Sequence, residues 1–358
     1  MAPIVHELKK HSDQFKTKVC LTAQHREMLD QVLDFFEIKS DFDLNLMKPN
    51  QSLFGLTSRI FSELEVVLDE FSPDYVFVHG DTTTTMAGAI AGFYSKAKIC
   101  HIEAGLRTNN KYAPFPEEIN RGIVGRVADY HFAPTIISQQ NLIKENIIQD
   151  SICVTGNTVI DALKFSVEKV KTLEIDELTY LKEHVNWKKR IILITGHRRE
   201  NFGQAFNNIF HAIKNIAEEE DVEIIYPVHL NPNVQEPVNQ ILKGLSNVHL
   251  VSPLSYPGFV WLMNKAYLII TDSGGIQEEA PFLGKPVLVL RETTERPEAL
   301  EAGKVKLVGS DQKKIISSTK LLLNDTEEYQ KMVKGENPFG DGTASKQIIK
   351  FLKQSKNG

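Results

Sequence analysis

Between residues 75 and 121 the sequence sets three carboxylates, Asp81, Glu103 and Glu117, among His79, Arg107 and Arg121. Acids committed to one site raise each other's proton affinity, which makes one of them a usable acid or base near neutral pH. The spacing brings two of them together. An apolar run at residues 75–78 stops at His79-Gly80-Asp81, a threonine-rich segment and a small-residue helix follow, and a second apolar run at 98–102 stops at Glu103. This is a strand, a helix and a strand. Right-handed crossovers make such strands parallel, and parallel strands end on one edge of the sheet. As neighbours about 4.8 Å apart, they deliver Asp81 and Glu103 to one crevice. Taken singly, each acid also has a structural explanation. Asp81 can cap the helix that follows, and Glu117, after Pro116, can relieve the open N–H groups of a helix start. Recurrence of all three beside a histidine and two arginines favours chemistry, with Arg121 read as a cation that binds substrate.

A second group of residues is suited to phosphate. Thr271-Asp272-Ser273-Gly274-Gly275 follows an apolar run and opens a helix. Glycines there let a phosphate approach the backbone, whose N–H groups and helix dipole supply positive potential without a lysine. Glu279 falls one turn further on, where a carboxylate accepts both hydroxyls of a ribose or simply stabilises the first turn. His197-Arg198-Arg199-Glu200 ends another apolar run and can grip phosphate oxygens, an exposed basic turn being the alternative. His229, in YPVHLNP, ends the next run at the same edge if the sheet is parallel. Phe259, in YPGFVWLM, is either core or a platform for a base. No close ligand spacing such as HExxH accompanies the histidines, which argues against a metal.

The elements that must position these side chains alternate along the chain. Residues 1–11 pattern as a helix, 18–21 as a strand, 28–36 as a helix, 41–49 as a loop and 51–71 as a long amphipathic helix stopped at Ser72-Pro73. After the unit at 75–103 come a helix at 118–128, a strand at 130–133, a helix at 135–145 and a strand at 152–155. This first half is expected to form one sheet. Residues 161–189 are richer in charge and read as a linker with one or two helices. A second series has strands near 190–195, 223–228, 248–250, 267–271, 287–290 and 306–308. The expected fold class is α/β, with two Rossmann-like domains facing a cleft lined by strand ends. Residues 1–165 carry the acid–base cluster, residues 166–340 the phosphate turns, and 341–358 a helix that packs back on the first domain.

Totals narrow the classes. The 358 residues exceed one ordinary core, and 42% hydrophobic with 24% charged residues is a globular composition. No apolar run reaches the length of a membrane span and no charged-then-apolar leader opens the chain, so no membrane partner is expected. A net charge of −5 argues against nucleic acid while allowing a local basic site for a diphosphate. Cys20, Cys100 and Cys153 are odd in number, far apart and on or near apolar runs, which reads as core residues of a reducing, cytoplasmic compartment.

The strings HGDTTTT, HIEAGLRT, PFPEEINR, VTGNTVIDAL, HRREN, YPVHLNP, TDSGGIQEEAP and LRETTERPE run in this order along nearly the whole chain. They resemble the bacterial non-hydrolysing UDP-N-acetylglucosamine 2-epimerase family. The resemblance implies the glycosyltransferase-B type of two-domain fold. It also implies reversible epimerisation at C2 of UDP-N-acetylglucosamine, by elimination and re-addition of UDP through 2-acetamidoglucal, with no NAD, metal or other cofactor. On that likeness Asp81, Glu103 and Glu117 share the proton transfers and His197 assists at the diphosphate. Ser273, Gly274 and Gly275 hold the diphosphate, Glu279 the ribose and Phe259 the uracil, and Arg296 lies near the substrate. The family likeness further implies a homodimer. Some members bind a second UDP-N-acetylglucosamine as an activator, at turns matching Gln24, His25, Arg198 and His229. Glu27 stands where a glutamine is usual and Asn50 where an arginine is, and both changes weaken attraction for a diphosphate.

A domain of this type begins with a central strand whose loop faces the ligand, whereas residues 1–11 pattern as a helix. The resemblance implies that this strand, and a loop with an arginine and a lysine, are missing through a displaced start or a truncation. Two other readings use the same features. A retaining glycosyltransferase would share the architecture and the diphosphate clamp while leaving the three acids without a purpose. A nucleotide-sugar binder without turnover follows if the first loop is absent.

Overall fold

The computed structural model describes residues 1–22, 26–46 and 51–355. The chain divides into two compact units, Met1–Ala162 with Phe339–Gly358, and Leu163–Pro338. Each is an α/β unit of parallel strands, as the alternation of patterns leads one to expect.

In the first unit β1 (Cys20–Leu21) pairs with β2 (Phe42–Asp43), while β3 (Tyr75–His79), β4 (Lys98–Ile102), β5 (Tyr130–Ala133) and β6 (Ile152–Val154) form a four-stranded sheet in that order. The expectation of a single sheet is therefore corrected. No strand among the described residues lies between β1 and β3 to carry the ladder across, and the hydroxyls of Thr22 and Thr84, 3.1 Å apart, join the two sides. The segment at 41–49, expected as a loop, contains β2. Asp41 pins it by accepting from the Val19 N–H and the Lys18 ammonium, each at 2.8 Å, and a two-residue strand is too short to show a period of two. In β4 the run Ile99 to Ile102 is buried throughout, as befits a strand covered on both faces.

Helix ends follow local chemistry. Ser52 caps the helix Leu53–Phe71 by accepting from Gly55 N–H, and Ser72 ends it in the left-handed region. The helix Thr83–Tyr94 is capped by Thr82, which accepts from Thr85 N–H. The helix Ala344–Ser355 lays Ile348, Ile349 and Leu352 against Ile4, Leu8, Cys100, Ile102 and Phe132, so the chain's first and last helices share the core beside β4 and β5. Among the described residues no helix is long and apolar enough to cross a membrane.

In the second unit β7 (Arg190–Thr195), β8 (Val222–Pro227), β9 (Val248–Val251), β10 (Leu268–Thr271), β11 (Val287–Val289) and β12 (Val305–Leu307) form one parallel sheet ordered β12-β11-β10-β7-β8-β9. Its core is Ile192, Ile194, Phe206, Phe210, Tyr226, Ile270 and Leu288 with their neighbours. From β7 the chain winds outward to β9 and returns on the other side at β10. The order thus reverses between β7 and β10, the place where open α/β sheets hold ligands beyond their carboxyl ends.

Candidate functional site

In the first unit the parallel register sets His79 opposite Ile102, so Asp81 and Glu103 leave neighbouring strands at one edge. The turn between His79 and Asp81 is built from both sides. Gly80 donates its N–H to Ile102 O at 2.9 Å and accepts on its carbonyl from His101 Nε2 at 2.8 Å. Burial drives the pKa of His101 down to about 3, so its ring is neutral and Nε2 carries the proton. Gly80 has φ of +70°, and a Cβ there would meet Glu103 Oε2 at 3.3 Å. Glycine serves both the turn and the room for that carboxylate. Glu103 itself sits at φ +61°, an uncommon conformation for a residue with a side chain. Its Oε2 lies 3.3 Å from His79 Nε2, and its Oε1 accepts from Asn157 Nδ2 at 3.1 Å. Burial holds the His79 pKa well below its ordinary value, so this imidazole is neutral beside the acid.

Asp81 is not a helix cap, since Thr82 takes that role. Its Oδ2 instead accepts from Arg121 Nε at 2.9 Å and pairs with Nη2 at 2.8 Å, while Asn120 Nδ2 donates to its carbonyl at 2.8 Å. Both partners stand on the helix Glu117–Val127, whose start is thereby drawn to the ends of β3 and β4. Glu117 opens that helix one turn before Arg121, half-buried, and its side chain makes no ion pair or hydrogen bond among the described residues. Its neighbour Glu118, passed over by sequence reasoning, is the buried one. It accepts from the N–H groups of Thr108 and Asn109 and from Arg121 Nη1 at 3.0 Å. Burial alone would raise its pKa, and these donors outweigh burial and hold it below the usual carboxylate range. Arg107 is drawn away from the three acids, because its Nε and Nη2 donate to Glu145 at 2.6 and 2.8 Å.

In the second unit the turns after β7 and β10 flank the reversal of strand order. Asp272 is fully buried, and its Oδ2 accepts from His197 N–H and Arg198 N–H, both at 2.9 Å, and from Asn201 Nδ2 at 3.3 Å. Tyr226 donates its hydroxyl to Gly196 O at 2.8 Å. This network fixes the HRRE turn, and sequence reasoning had placed Asp272 only as part of a glycine-rich string. His197 is exposed and stacks on His229 with centroids 5.4 Å apart, which brings the ends of β7 and β8 together. Arg198 leans over Gly274, where a Cβ would lie 3.8 Å from its Nη2.

Among the described residues the N–H groups of Gly274 and Gly275 make no hydrogen bond, whereas that of Ser273 is spent on Thr271 Oγ1 at 3.0 Å. Gln277 ties this turn to the loop after β11 by donating to Ser273 O and accepting from Thr294 Oγ1. Arg296, in that loop, is paired with Glu278 through its Nε. Glu279 follows, half-buried, with its pKa raised to about 8 by burial and then by the Glu278 carboxylate. Burial, and after it the Glu279 carboxylate, also raises the pKa of Tyr256, which places the helix Tyr256–Lys265 beside Glu279. Phe259 is half-buried in the first turn of that helix. Gln24, His25 and Asn50 lie outside the described residues, as does the side chain of Glu27.

A family model described as UDP-N-acetylglucosamine 2-epimerase matches residues 6–353. The UDP-N-acetylglucosamine 2-epimerase of Salmonella typhimurium is 54% identical over 356 residues, covering 99% of this chain and 94% of that one. The protein of the same name from Escherichia coli (strain K12) is 54% identical over 359 residues, covering 99% and 95%. Among solved structures, the UDP-GlcNAc 2-epimerase from Neisseria meningitidis bound to UDP-GlcNAc matches with a TM-score of 0.89 at 53% identity, covering 99% of this chain and 96% of that one.

Proposed function

Since the chain belongs to the UDP-N-acetylglucosamine 2-epimerase family, we propose that it interconverts UDP-N-acetylglucosamine and UDP-N-acetylmannosamine by expelling and re-adding UDP. The observation that carries this reading is the pair of acids on neighbouring strand ends, Glu103 at 3.3 Å from a neutral His79 and Asp81 held by Arg121.

Inverting C2 meets one obstacle, because its hydrogen is not acidic while the anomeric substituent is in place. Departure of UDP builds positive charge at C1, and that charge acidifies the neighbouring C–H. A carboxylate at C2 and positive potential at the diphosphate are therefore needed together. Reprotonation on the opposite face, as UDP returns, gives the epimer. We assign the two proton transfers to Glu103 and Glu117. Asp81 is spent on Arg121, whose Nε and Nη2 both meet its Oδ2, and its role is to fix the helix that carries Glu117. In the second unit His197 and Arg198, with the N–H groups of Gly274 and Gly275, receive the charge that builds on UDP. Glu279 accepts the ribose hydroxyls, Phe259 supports the uracil and Arg296 keeps the loop after β11 against Glu278. The same resemblance extends the proposal to a homodimer and to a second substrate molecule as activator.

Epimerisation in deuterated water tests the chemistry. The product is expected to carry deuterium at C2, and a product that keeps its original hydrogen there rules out proton exchange with these acids.

A further inference from the structure

At the edge where β7, β10 and β11 begin, the second unit holds a cavity of about 590 Å³, the size of a small-ligand pocket. The six residues of β7 separate it from the HRRE turn by roughly 20 Å. Its walls are aromatic and its charges are all positive. Trp187 and Trp261 meet edge to face with centroids 5.1 Å apart, and Trp187 donates its Nε1–H to Leu181 O at 3.1 Å. Tyr267 and Tyr329 stack at 4.3 Å, their hydroxyls donating to Leu322 O and Tyr267 O. These rings are held before any ligand arrives, which removes part of the entropic cost of binding one.

The cations divide into two sets. Lys189 is spent on Asp221 at 2.8 Å, and Arg190 donates to Leu323 O with its guanidinium 5.6 Å over the Tyr267 ring. Lys182, Lys265 and Lys285 have no carboxylate partner among the described residues, Lys265 resting 5.8 Å over Trp261. Burial, and then the charge of Lys265, pushes the pKa of Lys285 down. Positive side chains crowded without a counter-charge are repelled by one another, and an anion among them removes that repulsion.

We propose that this cavity is a second ligand site, for an aromatic phosphate of mononucleotide size. Its phosphate meets Lys265 and Lys285 and its ring packs against the fixed tryptophans and Tyr329.

Both tryptophans of the chain lie here, so tryptophan fluorescence reports on this cavity alone. The full chain is titrated with AMP alone under excitation where adenine is transparent. The expected result is a saturable fluorescence change whose affinity falls about tenfold or more in the Lys265→Ala/Lys285→Met double variant and is kept in Lys285→Arg. Absence of a saturable change at millimolar AMP overturns the proposal, as does a double variant that binds AMP as tightly as the parent. Inorganic phosphate competing as strongly as AMP overturns the aromatic part. Failure of the epimerase reading leaves these outcomes unchanged, because none of these residues belongs to the acid cluster or the HRRE and SGG turns.

Discussion

Asp81 and Glu117 carry the same charge and differ in what surrounds it. The first is paired with Arg121, the second makes no ion pair among the described residues. Replacing a group that moves a proton in the transition state costs about 10²–10⁴ in rate. Glu117→Gln is therefore expected to lower kcat within that range and to slow deuterium entry at C2 by the same factor, with KM little changed. Asp81→Asn is expected to slow C2 exchange less, and a larger effect there than in Glu117→Gln would reverse the assignment. Glu279 makes a prediction about pH. Its pKa rises on folding from 4.5 to about 8, so between those values the folded chain holds a proton that the unfolded chain releases. The contribution to stability is complete below the unfolded value and is lost as pH rises through the folded one. Glu279→Gln, which cannot lose that proton, should gain stability relative to the parent as pH increases over this window. Urea midpoints at about pH 5 and about pH 9 check the sign, and a gap between the two proteins that does not grow contradicts it.

At the scale of elements, the site depends on how two strands and one helix end. Gly80 lets β3 turn at φ +70° while leaving space for the Glu103 carboxylate. Alanine at this position meets both a disfavoured backbone region and a 3.3 Å approach to Glu103 Oε2. Gly80→Ala is expected to cost about 1–2 kcal/mol and to lower kcat by displacing Glu103 from His79. Thermal unfolding with steady-state kinetics measures both effects, and unchanged kcat would show that the Glu103 position is not critical. The elements themselves were largely legible, since β7 and the apolar run 98–102 follow directly from hydrophobic patterning bounded by turn residues. The short β2 was not, because it is a two-residue ladder with β1, helped by Asp41 bonding back to Lys18 and Val19.

At the scale of the whole molecule, the chain leaves the first unit at Ala162 and re-enters it at Phe339. Exit and return are stitched side by side. Asn157 N–H donates to Phe339 O at 2.8 Å, and the buried Asp161 accepts from Ala344 N–H, Ser345 N–H and Ser345 Oγ. Asp161 thus caps the helix that completes the core beside β4 and β5. Asp161→Ala is expected to cost about 1–2 kcal/mol. Urea unfolding reports the total, and hydrogen exchange should show the loss concentrated in Ala344–Ser355. Uniform exchange across both units would refute a local cap.

The sequence alone determined where strands stop and which turn chemistry follows, because hydrophobic period and Gly, Pro and Thr signals act between residues a few positions apart. It also contained the ordered strings that carry the family resemblance. Only the tertiary structure decided the pairings. Thr82 rather than Asp81 caps the helix after β3, Glu118 rather than Glu117 is buried, and Arg107 goes to Glu145 instead of the acids. Asp272 proved to be the anchor of the HRRE turn. Each of these is a competition among donors and acceptors distant in the chain, settled by register and by which backbone ends share an edge, and nothing in the local spacing ranks the competitors.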